Sequence, residues 1–179
     1  DLRLNDNHGL FLALKDEFPV LPLFIFDKEI LRQLPSFDNR VNALFNETGR
    51  LNSELEHYGS SLKTMYGEIL KCFHVLSDEF DIGTVYTNHD YEPYSLQRDN
   101  VTGQFLLKKG IRLISVKDQV IFETNEVVKN DGNPYLVFTP YMNKWKNRRK
   151  SLSSFPQYPS EQKLNNLYKT NRITPVSLT

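Results

Sequence analysis

The chain has 179 residues, of which 39% are hydrophobic and 25% charged, and its basic and acidic side chains balance to a formal net charge of zero. This composition is typical of one globular domain with its own core, and a chain without net charge has no overall field that attracts nucleic acid. The single cysteine, Cys72, excludes an internal disulfide, and no apolar run approaches the roughly 20 residues that cross a bilayer. We therefore expect a soluble, cytoplasmic protein in which only a local basic patch could bind nucleic acid.

The predicted elements alternate between strands and helices. The apolar run Val20–Phe26 ends at the polar Asp27, which is typical of a parallel strand covered on both faces. Further on, apolar residues recur at helical spacing between short apolar runs. Strands are expected near 20–26, 60–65, 83–87 and 111–116, and helices near 8–15, 38–58, 68–80 and 93–109. This alternation predicts a doubly wound, parallel α/β sheet with right-handed crossovers.

The chain after residue 150 has a different composition. Serines at three of the first four positions and two prolines in Ser151–Ser160 are typical of a linker. The stretch Leu164–Thr170 predicts a single turn of helix. We therefore expect one domain over residues 1–150 and an interdomain linker over residues 151–179.

Four segments stand out by their order and spacing. They are Asp1-Leu-Arg-Leu-Asn-Asp-Asn7, Pro22-Leu-Phe-Ile-Phe-Asp27, Asn88-His-Asp-Tyr-Glu-Pro-Tyr94 with Arg98-Asp99, and Val137-Phe-Thr-Pro-Tyr141 with Trp145. Each segment alone is a weak signal, but together they cover most of the chain. In this order they resemble the amino-terminal domain of the DNA photolyase/cryptochrome family.

The resemblance implies a light-driven flavoprotein in two parts, of which this chain is the first. In the family, a carboxy-terminal helical domain binds FAD and the DNA lesion, and reduced FAD transfers an electron to a cyclobutane pyrimidine dimer. The amino-terminal domain packs against that domain and, in many members, holds an antenna such as methenyltetrahydrofolate or a deazaflavin. The full-length protein is thus expected to be a carbon–carbon lyase, a deoxyribodipyrimidine photo-lyase, whereas this chain is expected to hold neither a catalytic centre nor the FAD site.

The sequence departs from the family pattern at one point. Family members have a central strand directly before the segment that corresponds to Asp1–Asn7, and this sequence starts after it. Either that strand is missing from the sequence or another segment fills its slot, which is expected between the strands near 20–26 and 83–87. An empty slot would leave two rows of backbone groups unpaired.

The predicted antenna site centres on the segment Asn88–Glu92, which leaves a strand at its carboxyl end, where ligands bind in open α/β sheets. By resemblance, Asn88 and Glu92 match positions that contact the antenna in some members, and Tyr91 offers an aromatic face. The structural alternative is that Glu92 caps its helix and pairs with Arg98. The predicted site comprises Arg3, Asn7, Phe26, Asn88, Tyr91 and Glu92.

Structural alternatives also exist for the other members of this site. Arg3 and Asn7 follow another predicted strand end, but ion pairing explains an arginine there equally well. Asn5 or Asp6 is expected to cap the helix near 8–15. Asp27, which follows Phe26, also suits the first position of a turn.

The segment Lys144–Lys150 is basic around Trp145, a mixture that can contact phosphate and stack on a base. A solvated helix face whose tryptophan packs against the sheet or a partner domain explains the same pattern, and we prefer it. The histidines lack metal-ligand spacing with Cys72, so no metal site is predicted. The sequence contains no nucleotide-binding or nucleophile motif of the NTPases, dehydrogenases or hydrolases.

Three functions remain open from the sequence. We predict the antenna and interface domain of a photolyase, with the protein's own carboxy-terminal flavin domain and damaged DNA as partners and no membrane. The alternatives are the same domain of a cryptochrome photoreceptor and a stand-alone nucleotide-binding or interaction module. A long helical continuation of the gene beyond Thr179 would support either of the first two functions and exclude the third.

Overall fold

The computed structural model describes residues 1–35 and 37–170 of the chain. The four strands and four helices predicted before residue 117 are all present, with shifts of a few residues at their ends. The elements are α1 (His8–Ala13), β1 (Leu23–Asp27), α2 (Lys28–Leu31), α3 (Asn39–Glu56), β2 (Lys63–Gly67), α4 (Ile69–Glu79), β3 (Thr84–Asn88), α5 (Pro93–Lys108), β4 (Arg112–Val116), α6 (Phe138–Lys150) and a 3-10 helix (Ser160–Asn166). No helix in these residues is long and apolar enough to span a membrane.

The strands form two parallel pairs. β1 pairs with β2, with Leu23 opposite Lys63, and β3 pairs with β4, with Thr84 opposite Arg112. The predicted parallel α/β class is therefore confirmed. Within the described residues the two pairs are separate sheets, so β1 and β3 are not hydrogen-bonded to each other. This break lies between the two strands that were expected to flank the family's central strand.

Two apolar clusters fill the interior. The first lies beside α3 and is built of leucines, including the fully buried Leu55. The second lies between α4, α5 and the strands of both pairs, around Phe73 and the fully buried Leu106. Because full burial of a leucine side chain stabilises a fold by about 1.5–3 kcal/mol, these clusters hold the two strand pairs against their helices.

The ends of α3 follow from the local sequence. Asp38 caps the helix, since its Oδ1 accepts the backbone N–H of Arg40 at 2.8 Å. After the helix, Gly59 adopts a φ of +66°, which only glycine reaches without strain, and so stops the helix where the sequence predicts. The apolar stripe of α3 is buried at Leu51 and Leu55 but remains partly exposed nearer the start of the helix.

The segment that follows α6 returns to the domain. Leu164 and Leu167 are buried in the leucine cluster beside α3, and Leu167 forms a parallel bridge with Val20. We call residues 158–168 the tail. The predicted turn of helix near 164–170 is wrong in place and type, because the 3-10 helix comes earlier, where it buries Leu164. The domain boundary at residue 150 stays a prediction.

Candidate functional site

Asn88, the last residue of β3, ties that strand to the start of the chain. Its Oδ1 accepts the backbone N–H of Gly9 at 2.8 Å, and its Nδ2 donates to Asn7 Oδ1 at 3.0 Å and to Asp1 Oδ2 at 2.7 Å. A Cβ atom at Gly9 would lie only 2.8 Å from Asn88 Oδ1, so this approach requires glycine. Both N–H groups and the carbonyl oxygen of the Asn88 side chain are thus hydrogen-bonded within the protein.

Asn7 is buried and is the residue that caps α1. Its Oδ1 accepts the backbone N–H of Leu10 at 3.1 Å, while its Nδ2 donates to the backbone oxygen of Arg3. The prediction of Asn5 or Asp6 as the cap is therefore wrong. Asp6 has a φ of +47°, in the left-handed region, whereas a helix cap needs the extended backbone that Asn7 adopts.

Arg3 forms an ion pair with Asp118, whose side chain is only 2% exposed. Asp118 also accepts the backbone N–H of His8 at 3.1 Å. The structural alternative for Arg3 is thus confirmed. Sequence reasoning missed Asp118, although a carboxylate just after the predicted strand that ends at Val116 was a usable signal. We call Asp1, Arg3, Asn7, Asn88 and Asp118 the β3-end cluster.

Asp90, rather than Glu92, organises the start of α5. Its Oδ1 accepts the backbone N–H of Tyr91 at 2.7 Å, and its Oδ2 accepts the hydroxyl of Ser95 at 2.8 Å. Burial alone would raise the pKa of Asp90, but the hydrogen bonds from Ser95 and from the amides of Tyr91 and Glu92 hold it below its usual value. Sequence reasoning missed this role, although an aspartate before a proline-initiated helix was a recognisable signal.

The structural alternative for Glu92 is wrong. Its side chain makes no capping hydrogen bond to α5, and Arg98 pairs with Asp99 instead, at 2.8 Å between Nε and Oδ1. Glu92 is exposed, and its carboxylate makes no hydrogen bond or ion pair with the residues that the structure describes. The carboxylate can therefore accept hydrogen bonds from a ligand.

Tyr91 turns toward the loop after β4. Its ring lies 5.7 Å from that of His89, and its buried hydroxyl faces the carboxylate of Glu123. Burial, together with the nearby carboxylate of Glu123, raises the pKa of Tyr91 to about 12. The phenol is thus neutral at physiological pH.

Phe26 is buried inside the domain, and only 2% of it is exposed. Its ring packs between those of Phe24, at 4.9 Å, and Phe45, at 6.3 Å. The next residue, Asp27, caps α2 and accepts the hydroxyl of Tyr94 at 2.6 Å. Asp27 is therefore structural, as expected, but it starts a short helix and not the predicted turn.

The structure thus brings three of the six predicted site residues together, namely Arg3, Asn7 and Asn88. Tyr91 and Glu92 follow this cluster in the chain but face other surroundings, and Phe26 is buried on β1. Two surface cavities, of about 500 and 390 Å³, lie along α4 and contain none of the six. Among the described residues, no group of three histidine, cysteine or acidic side chains could hold a metal ion.

Trp145 of the basic segment packs against a loop. Its ring meets that of Phe122 edge-on at 5.6 Å, and Phe122 belongs to the loop after β4. Of the two expected partners of this tryptophan, the sheet is therefore wrong, whereas packing against a partner domain stays a prediction. The reason is that this loop inserts its own aromatic side chain beside α6.

Known proteins resemble this chain over most of its length. Residues 1–161 match the DNA photolyase family model. A deoxyribodipyrimidine photo-lyase from Synechococcus sp. is 31% identical over 81% of this chain and 30% of that protein, and cryptochrome-2 from Arabidopsis thaliana is 28% identical over 80% and 24%. The crystal structure of a class III photolyase from Agrobacterium tumefaciens superposes with a TM-score of 0.78 at 26% identity, over 100% of this chain and 35% of that one. The chain therefore spans about a third of the length of these photolyases.

Proposed function

We propose that this chain, which belongs to the DNA photolyase family, is the antenna-holding and interface domain of a light-driven, FAD-dependent DNA repair enzyme. The observation that carries this proposal is the superposition of the entire chain on about a third of a solved photolyase. The FAD and the damaged DNA would be held by a carboxy-terminal helical domain beyond these 179 residues. This chain would then supply light-harvesting and packing surfaces, and no bond-making group.

An exposed apolar segment supports packing against such a domain. Leu136, Val137 and Phe138 are consecutive and are 92%, 63% and 72% exposed. Contiguous exposed apolar side chains typically mark an interaction surface.

A reducing cytoplasm is proposed as the location of the protein. The single cysteine of the sequence, Cys72, is a buried thiol, and its pKa is raised by burial and by the nearby Asp27 carboxylate.

We propose the antenna site at the carboxyl end of β3, where the unengaged carboxylate of Glu92 would accept hydrogen bonds from a pterin or deazaflavin ring. Asn88 would contribute its amide by exchanging its bond to Asp1, while Arg3 and Asn7 would hold Asn88 in position. The ring of Tyr91 would line one side of the site. A contact by Phe26 would require the neighbouring rings of Phe24 and Phe45 to move. When bound, methenyltetrahydrofolate or a deazaflavin would supply absorption of light.

The first test uses the 179-residue chain alone. It is expected to purify without FAD and to leave cyclobutane dimers in DNA unrepaired under blue light. Flavin absorbance near stoichiometric occupancy in the purified chain would contradict the proposal.

The second test uses the full-length protein. Glu92→Ala is expected to lower the antenna content per flavin, measured by absorbance, without changing the melting temperature. Glu17→Ala, at another exposed glutamate without a partner among the described residues, serves as the matched control. Equal antenna content in the two variants would place the antenna elsewhere.

The third test separates the proposal from the cryptochrome alternative, which the Arabidopsis relative keeps open. Blue-light repair of cyclobutane dimers by the full-length protein is expected. Flavin reduction by light without any repair would favour a photoreceptor.

A further inference from the structure

Helix α6 carries five cationic side chains and no acidic one over its 13 residues. They are Lys144, Lys146, Arg148, Arg149 and Lys150. We propose that the outer face of α6 binds the phosphate backbone of a nucleic acid, independently of any chromophore or flavin.

The inner face of α6 is fixed to the domain, which leaves the opposite face open. The half-buried Trp145 packs on Phe122, and the guanidinium of the half-buried Arg149 lies 3.9 Å from the ring centre of Phe155. The residues facing away from these contacts are exposed and polar, and they include Asn143 and Asn147.

The cations of α6 divide into two groups. Arg149 lies over Phe155, and Arg148 pairs with Glu126 at 3.2 Å, so both act within the domain. The three lysines make no hydrogen bond or ion pair with any residue in the described part of the chain. These three are Lys144, Lys146 and Lys150.

Folding alone does not account for these lysines. Lys144 and Arg148 are four positions apart, as are Lys146 and Lys150, and like charges at this spacing destabilise a helix. The helix dipole favours cations in the last turn, where Lys150 lies, but not at Lys144 or Lys146. An anionic partner along the outer face would relieve this repulsion.

The chemistry of the face fits phosphodiesters. Lysine ammonium groups and asparagine amides are donors that proteins use to bind nucleic acid phosphates. From Asn143 to Lys150 the outer face contains no apolar side chain, whereas an interfacial helix needs an apolar face to enter a membrane.

The test compares two charge-matched triple variants of the 179-residue chain. The first replaces Lys144, Lys146 and Lys150 by glutamine. The second replaces Lys28, Lys108 and Lys163, which are exposed and equally unpaired within the described residues. Binding to a fluorescein-labelled DNA of about 20 nucleotides, single-stranded and as a duplex, is followed by anisotropy between about 50 and 200 mM salt.

We expect the unmodified chain to bind and the α6 variant to bind about tenfold more weakly or worse. The slope of log affinity against log salt concentration should also be smaller in the variant, by about two to three, because each phosphate contact contributes about 0.7–0.9 to that slope. The control variant should bind like the unmodified chain. Circular dichroism and a melting curve check that both variants fold, and if the triple variant unfolds, the single change Lys146→Gln replaces it. Absence of DNA binding, an equal loss in both variants, or binding to phosphatidylserine vesicles instead of DNA would overturn the proposal.

Discussion

The two apolar clusters of this domain are assembled from different parts of the chain. The cluster beside α3 combines leucines from both ends of the chain, such as Leu4 and Leu167. The cluster around Leu106 uses consecutive elements from α4 to β4, together with side chains of β1 and β2. The second cluster therefore depends mostly on contacts between elements that follow one another in the chain, and the first depends on contacts between segments far apart in it.

The largest expected effect comes from removing one buried leucine from each cluster. Leu106→Ala and Leu167→Ala should each lower the free energy of unfolding by about 2–5 kcal/mol in urea titrations, because each leaves a cavity. Only Leu167→Ala should also expose the tail to limited proteolysis. Leu107→Ala, at a side chain that is 72% exposed, is the control. If Leu167→Ala behaved like this control, the tail would not belong to the first cluster.

A smaller effect is expected where the two strand pairs are joined. The hydroxyl of Tyr94, on α5, donates to the buried carboxylate of Asp27, on β1. Tyr94→Phe should lower the free energy of unfolding by about 1.5–3 kcal/mol, which is typical of a hydrogen bond to a charged group. Tyr66→Phe, at an exposed tyrosine of β2, provides the comparison. Equal results would mean that apolar contacts alone join the two pairs.

The same bond should respond to alkaline pH. Burial, followed by the hydrogen bond to Asp27, raises the pKa of Tyr94 to about 12. A raised pKa means that the stabilisation is complete below the usual tyrosine pKa and is lost as the pH rises toward 12. The unmodified chain and Tyr94→Phe should therefore differ in their free energy of unfolding up to the usual tyrosine pKa, and this difference should shrink only in alkali. Urea titrations at increasing pH measure it.

The next effect concerns the start of α5. Asp90→Ala should lower the free energy of unfolding by about 1–3 kcal/mol, because it leaves the buried hydroxyl of Ser95 without its acceptor. Because the pKa of Asp90 is lowered, its stabilisation is complete above the usual aspartate pKa and is lost as the pH falls through the lowered value. The melting temperatures of the unmodified chain and of Asp90→Ala should thus differ at neutral pH and become equal in acid. Asp81→Ala, at an exposed aspartate, should leave the curve unchanged at every pH.

The smallest effect is expected at Glu92. Glu92→Ala should change the free energy of unfolding by less than about 0.5 kcal/mol, because the side chain is exposed and makes no bond within the described residues. A larger loss in a urea titration would restore the structural explanation for this residue.

The sequence predicted the fold better than the site, and the reason lies in the range of the signals. Apolar periodicity is local, so it located α3 to within two residues at each end. The partners of Arg3 and Asn88 lie far away in the chain, at Asp118 and Asp1. Local patterns carry no information about such pairs. They also do not predict the positive φ of Asp6, which moves the cap of α1 to Asn7.

Reasoning from strand ends had the same limit. It assigned Phe26 and Tyr91 to a cleft from their positions in the chain, but these positions do not give the direction of the rings. Those directions depend on Phe45 and on the loop that carries Glu123, which lie outside the quoted segments.

The bridge between Val20 and Leu167 bears on how this protein is made. Residues 21–167 must all leave the ribosome before Val20 can pair with Leu167. Contacts between such distant residues slow folding and leave apolar surface open in the meantime. The leucines of α3 are therefore available to chaperones until the tail is synthesised, whereas the unit from α4 to β4 can begin to fold while translation continues.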